Sequence, residues 1–149
     1  MNDFDRAMEF VLKWEGGYVN DPKDPGGETK WGISRRAYPT LDIKDLTEQE
    51  AKDIYRVDYW EKLGCDNLLW PVNLVVFDTA VNMGRRRAKD FLSRTPYWQD
   101  YIIERIDYYA RVLGRKPYLR GWINRTVALY KFAGKAQHPY SEPDKEVVA

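Results

Sequence analysis

Between Gly16 and Ile33 the chain carries five glycines and two Asp-Pro steps, Asp21-Pro22 and Asp24-Pro25, the second followed by Gly26-Gly27. Such a stretch supports neither a long helix nor a regular strand, because glycine is costly to order and proline withholds a backbone donor. It reads as a hairpin or folded loop, and the rest of the chain reads as helix. Phe4, Ala7, Met8, Val11 and Leu12 recur at helical spacing, with Asn2 or Asp3 available to cap, which predicts a helix over residues 3–14 that Gly16-Gly17 stops. Thr47-Glu48-Gln49-Glu50 is a capping box that opens a helix to about residue 62. Pro71 takes the favoured first position of an apolar helix running to Asn82 and closed by Gly84. Further helices are expected over residues 85–93, 98–113 and, beyond Gly114 and Pro117, 119–133, with a polar tail from His138. The expected fold class is mainly α, with a small irregular β-hairpin region after the first helix.

Several function classes fall away on composition. The 22 aromatic residues and 44% hydrophobic content argue for a packed globular chain rather than disorder. No apolar run reaches the roughly 18 residues that a membrane span needs. The opening Met1-Asn2-Asp3-Phe4-Asp5 lacks the basic, then apolar, pattern of a signal peptide, so synthesis in the cytoplasm is expected. A single Cys65 excludes an internal disulfide, and Cys65 with the single His138 cannot build an ordinary zinc site or carry thiol-imidazole catalysis. Cys65 reads as a small buried residue, and neither a metal nor a cofactor is expected. Charge is uneven: residues 1–84 hold ten Lys/Arg against sixteen Asp/Glu, whereas residues 85–135 hold thirteen against four. The basic half suits either a solvated helix face or an anionic partner, such as wall polymers or a phosphate-rich outer-membrane surface. Arg85-Arg86-Arg87 belongs to that half. Its basic residues are not organised with stacking aromatics or a groove-entering helix, so a nucleic-acid partner is not expected.

Glu15 is the first candidate for chemistry. It lies eleven positions after Phe4, which returns it to within about 20° of the apolar stripe of the first helix. Burial there and the negative helix end both disfavour an ionised carboxyl, the condition a general acid needs. The competing reading is a glutamate turned to solvent or bonded to amides of the Gly-rich turn. Asp24 follows nine residues on and Thr29 five beyond it. A glycosidase needs a proton donor plus a second carboxylate that activates water or attacks the sugar, and these three residues would supply both from a helix end and a hairpin. Asp21 and Glu28 compete for the second place, and Asp24, like Asp21, also has the look of a turn starter.

Asp78 and Asn82 are i, i+4 neighbours in an apolar helix and share one polar environment, either lining a saccharide cleft or bonding a neighbouring helix. Tyr18, Trp31, Tyr55, Tyr59 and Trp60 offer flat faces to sugar rings, Tyr18 and Trp31 most directly because they belong to the Gly-rich segment that follows Glu15. Trp122 and Arg125 read as locking the last helix onto the body.

The run EGGYVNDPKDPGGETKWGIS from Glu15 to Ser34, with YRVDYW from Tyr55 and FDTAVNMG from Phe77, resembles the glycoside hydrolase family 108 muramidases, a family of phage endolysins and related wall hydrolases. The later RIDYYARVL and GWINR resemble the helical peptidoglycan-binding segment that follows the family's catalytic core. The resemblance implies a lysozyme-like core over residues 1–90, a binding-like helical segment over 91–137 packed on it, and a tail over 138–149. It further implies hydrolysis of the β-1,4 bond between N-acetylmuramic acid and N-acetylglucosamine, with Glu15 as catalytic acid. The spacing of Glu15, Asp24 and Thr29 is similar to the Glu-Asp-Thr triad of phage-type lysozymes of another family. Endolysin kinship implies a monomer acting on peptidoglycan glycan strands after release through a holin-like membrane partner. A lytic transglycosylase and a wall-binding module without chemistry are the alternatives.

Overall fold

A computed structural model describes residues 1–24, 26–112 and 116–135. The described residues form six α-helices: α1 Asp3–Trp14, α2 Glu48–Tyr55, α3 Val72–Met83, α4 Arg85–Arg94, α5 Trp98–Val112 and α6 Leu119–Lys135. Between α1 and α2 lies an antiparallel hairpin, β1 Thr29–Lys30 and β2 Ile33–Ser34, with Thr29 opposite Ser34 and Lys30 opposite Ile33. The mainly α class with one small hairpin after the first helix is therefore realised. The expected polar tail from His138 and the stop at Gly114 lie outside the described residues.

The caps act as their chemistry requires. Asn2 accepts a hydrogen bond from the Asp5 amide at 2.8 Å. Thr47 and Glu50 close the capping box reciprocally, at 3.2 Å and 2.8 Å. Gly84, at φ +93°, turns α3 into α4. One expectation is corrected here. The second helix is α-helical only to Tyr55, and Arg56–Glu61 continues it as a π-helical turn. A π turn takes an extra residue and so rotates the side chains beyond it out of α-helical phase. It leaves Trp60 buried while Asp58 and Tyr59 stay half-buried.

The apolar α3 is the central helix, buried continuously from Asn73 to Ala80 because an element apolar on all faces finds its partners on all sides. Phe77 meets Trp60 at 5.4 Å, and Trp60 meets Phe4 of α1 at the same separation, both edge-on. Helices α1, α4, α5 and α6 pack around α3. Cys65 is buried as expected, and burial pushes its thiol up to about 12. Among the described residues no helix is long and apolar enough to cross a membrane.

Candidate active site

Glu15 ends α1 with its amide still bonded to Val11 O at 2.9 Å. The side chain is 22% exposed and neither lies free in solvent nor bonds the glycine-rich turn: Oε1 accepts from Nη1 of Arg125 on α6 at 2.6 Å. The sequence leaves Glu15 open between a core-facing, desolvated carboxyl and one turned to solvent or bonded to the turn amides. In the fold it has a partner that neither alternative names, a cation 110 residues away in sequence. Among the described residues, no hydrogen bond reaches its other oxygen, Oε2.

The hairpin tip forms the wall beside this carboxyl. Trp31 (φ +54°) and Gly32 (φ +78°) are the two loop residues between β1 and β2, and positive φ at both positions is the two-residue hairpin geometry that matches strand twist. A β-carbon on Gly32 would stand 3.0 Å from Cγ and Cδ of Glu15 and 2.2 Å from Oη of Tyr55, so the backbone approaches the acid as only glycine permits. The uncommon left-handed Trp31 is held from two sides: its amide bonds Gly16 O at 3.2 Å, and the Tyr55 hydroxyl donates to its carbonyl at 2.8 Å. The indole Nε1 of Trp31 is enclosed and without a hydrogen-bond partner among the described residues. Tyr59 is half-buried 5.4 Å from the Tyr55 ring, under the Arg85 guanidinium. Burial pushes its phenol up; Arg85 opposes this, and the charges of Asp58 and Glu15 add to it.

Behind Glu15 runs a buried chain of charges. Asp78 is 0% exposed, which takes it off any cleft wall and into the interior. Its Oδ1 accepts from Nε and Nη2 of Arg125 at 3.1 and 2.7 Å, and its Oδ2 from Nη1 of Arg105 on α5 at 2.6 Å. Burial alone would raise this carboxyl, but the Arg125 and Arg105 guanidiniums more than reverse it and hold it below the ordinary carboxylate range. Arg105 Nε donates to the Tyr109 hydroxyl at 2.9 Å, which donates to Asn82 Oδ1 at 2.6 Å. Asp78 and Asn82 thus do share one polar environment, made of helix-to-helix bonds. Arg125, which the sequence suggests only as a lock for the last helix, both locks α6 to α3 and holds Glu15.

The remaining candidates sit on the arm of the hairpin. Asp24 is exposed, and its Oδ1 accepts from the Gly26 amide at 2.8 Å, the turn-forming role weighed for it. Asp21 does the same with Lys23 at 2.9 Å. Thr29 exchanges backbone bonds with Val19, each at 2.8 Å. Among the described residues no hydrogen bond or ion pair joins Asp24 or Thr29 to Glu15. Tyr18 donates to Glu28 at 2.7 Å, and Arg35 grips the same carboxylate through Nε, at 2.7 Å, and Nη2. The Tyr18 bond, then Arg35, holds Glu28 below its usual range, so this competitor is fully engaged. Tyr55 and Trp60, offered as sugar platforms, are core residues at 1% exposure each. Among the described residues no cluster of potential metal ligands is present.

The family model described as Glycosyl hydrolase 108 matches residues 8–84, a span that holds Glu15, Asp24, Thr29 and Asp78 but ends before Arg125. The solved structure of Brucella abortus SagA is similar at 27% sequence identity and a TM-score of 0.76, covering 87% of this chain and 92% of that one. No curated protein matches the chain in sequence. With its lysozyme-like, mainly α fold and the matching family model, the chain belongs to glycoside hydrolase family 108.

Proposed function

We propose that this glycoside hydrolase is a peptidoglycan muramidase that cleaves the β-1,4 bond between N-acetylmuramic acid and N-acetylglucosamine, with Glu15 as its general acid. The observation that carries this reading is the Glu15 carboxyl itself: anchored at a helix end, partly exposed, with one oxygen held by Arg125 at 2.6 Å. Since the guanidinium donates to Oε1, the proton for the glycosidic oxygen rides on Oε2. As that proton leaves, the carboxylate that forms meets a cation already in place, so charge developing in the transition state is stabilised without reorganisation. Asp24, helped by Thr29, positions or activates the water that adds to the anomeric carbon while its bond to the leaving oxygen breaks. Tyr18, Trp31, Tyr59 and Asn82 contact the glycan, and Asp78 acts at a distance by fixing Arg125. The enzyme acts as a monomer on glycan strands of the wall, after release through a holin-like membrane partner.

The exposed, turn-bonded Asp24 favours a second reading, a lytic transglycosylase, which needs a protonated glutamate but no water-activating carboxylate. Mass spectrometry of products from purified peptidoglycan separates the two. Reducing-end muropeptides, lost in Asp24→Asn, support the muramidase. Anhydro-muropeptides that persist in Asp24→Asn overturn it in favour of the transglycosylase.

A further inference from the structure

A concentration of positive charge lies on α4 and α5, among residues that do not contact Glu15. A cavity of about 730 Å³ opens between α4 and α5, and Arg86, Arg87, Lys89, Arg94 and Arg111 line it with a single acid, Asp90. The ion pairs there can be followed one by one. Arg94 is satisfied by Asp90 at 2.8 Å and Glu104 at 2.7 Å, and Arg111 by Asp107 at 2.8 Å. Arg86, Arg87 and Lys89 pair with no acid among the described residues. Five cations against these three acids leave the cavity with an uncompensated balance of +2.

Arg87 is also held in place. Its guanidinium stacks on the Tyr108 ring at 4.0 Å from the centroid, and its Nη1 donates to Met83 O at 3.2 Å. A stacked, half-buried guanidinium with donors to spare loses little freedom on binding, and its fork matches the oxygens of a phosphate. Exposed Arg86 and Lys89 stand on the same helix, one turn from each other. Phe91 and Met83 supply an apolar floor, which raises the strength of any charge pair formed above it.

We propose that this cavity binds phosphate-bearing anions, with Arg87 as the fixed anchor and Arg86 and Lys89 as the mobile arms. The site is separate from the glycosidase machinery and does not depend on how Glu15 works. The phosphate could belong to a soluble compound or to a lipid headgroup, and the recognition chemistry is the same for both.

Titration of the full chain with sodium tripolyphosphate, followed by calorimetry, tests the site directly. The native protein is expected to bind with an affinity that falls as salt rises. Arg86→Gln with Lys89→Gln should weaken binding about tenfold or more, since two charge-assisted contacts are lost. Arg120→Gln with Lys131→Gln removes the same charge from exposed positions on α6 outside the cavity and should leave affinity within about twofold. Equal weakening by the two pairs would show a net-charge effect and overturn the site, as would absence of binding by the native chain. Vesicles of phosphatidylglycerol in phosphatidylcholine distinguish the sources: vesicle association that tripolyphosphate displaces assigns lipid headgroups, and tripolyphosphate binding without vesicle association assigns soluble phosphate. Vesicle association without tripolyphosphate binding would overturn the pocket in favour of a diffuse surface effect.

Discussion

Replacing Arg125 by methionine removes one partner from a buried ionic chain while keeping most of the side-chain volume. In the native chain Arg125 is 7% exposed and makes three bonds, one to Glu15 and two to Asp78, itself 0% exposed. Taking one partner from a buried pair costs about 3–5 kcal/mol, because the other charge is left in a medium that solvates it poorly. Asp78 keeps its 2.6 Å bond to Arg105, which places Arg125→Met at the lower end, about 3 kcal/mol. For a chain of 149 residues this corresponds to a fall in Tm of about 6–12 °C. Urea unfolding of the native chain, Arg125→Met, Asp78→Asn and the double variant completes a cycle. The account predicts a coupling of about 2 kcal/mol between the two positions, within the range for residues sharing a network. Additivity within about 0.5 kcal/mol, or an Arg125→Met variant as stable as the native chain, would refute the claim that this pair ties α6 to α3. Activity gives a second readout: with Glu15 unanchored, kcat should fall by about 10²-fold. Arg125→Lys restores the charge but not the fork that spans two carboxylates, so it should recover only part of either loss.

Three further outcomes rest on other features of the fold and the site. Gly32→Ala forces a side chain into left-handed backbone and against Tyr55 and Glu15, so it should cost about 1–3 kcal/mol and lower activity, read by thermal unfolding and turnover together. Asp78 is held below its ordinary carboxylate range, so its share of stability is complete above about pH 4 and is lost as pH falls through the folded-state value. Tm measured from neutral to strongly acid pH should therefore drop more steeply in the native chain than in Asp78→Asn, and parallel curves would contradict this. Cys65, buried with its thiol pushed up to about 12, should resist an aromatic disulfide reagent at mildly alkaline pH until the chain is unfolded in urea; rapid reaction of the folded protein would show that the core opens.

How much the sequence made legible depends on how local each signal is. Asn2, the Thr47–Glu50 box and Gly84 act within a few residues of themselves, and they set the starts of α1 and α2 and the end of α3 where the sequence places them. The π-helical turn at Arg56–Glu61 was not legible, because the aromatic and charged residues of that stretch satisfy an α period equally well over so short a run. Glu15 stands out through its phase on α1, yet its partner could not, since contact between α1 and α6 is a tertiary fact. A signal for the network did exist. Arg105 shares a helical face with Trp98, Tyr101, Ile102 and Tyr109, and Arg125 lies beside Thr126, Leu129 and Ala133 on the buried face of α6. A charged residue in an apolar phase requires an opposite charge in the core. Asp78, the one acid in the apolar α3, was available to both arginines. The glycine-rich loop is recognisably irregular in sequence, but the φ values that fold Trp31-Gly32 back onto Glu15 depend on Gly16 and Tyr55 holding the tip from outside.

The central claim is that Glu15 donates the proton that breaks a glycosidic bond, and Glu15→Gln tests it most directly, since the amide keeps the shape and can still accept from Arg125. Turnover of purified peptidoglycan and binding to it would be measured on the same samples, native and variant. The account predicts a loss of at least about 10²-fold in kcat with binding retained. Undiminished turnover in Glu15→Gln would contradict it, and absence of products from both proteins with binding intact would leave a wall-binding module in place of an enzyme.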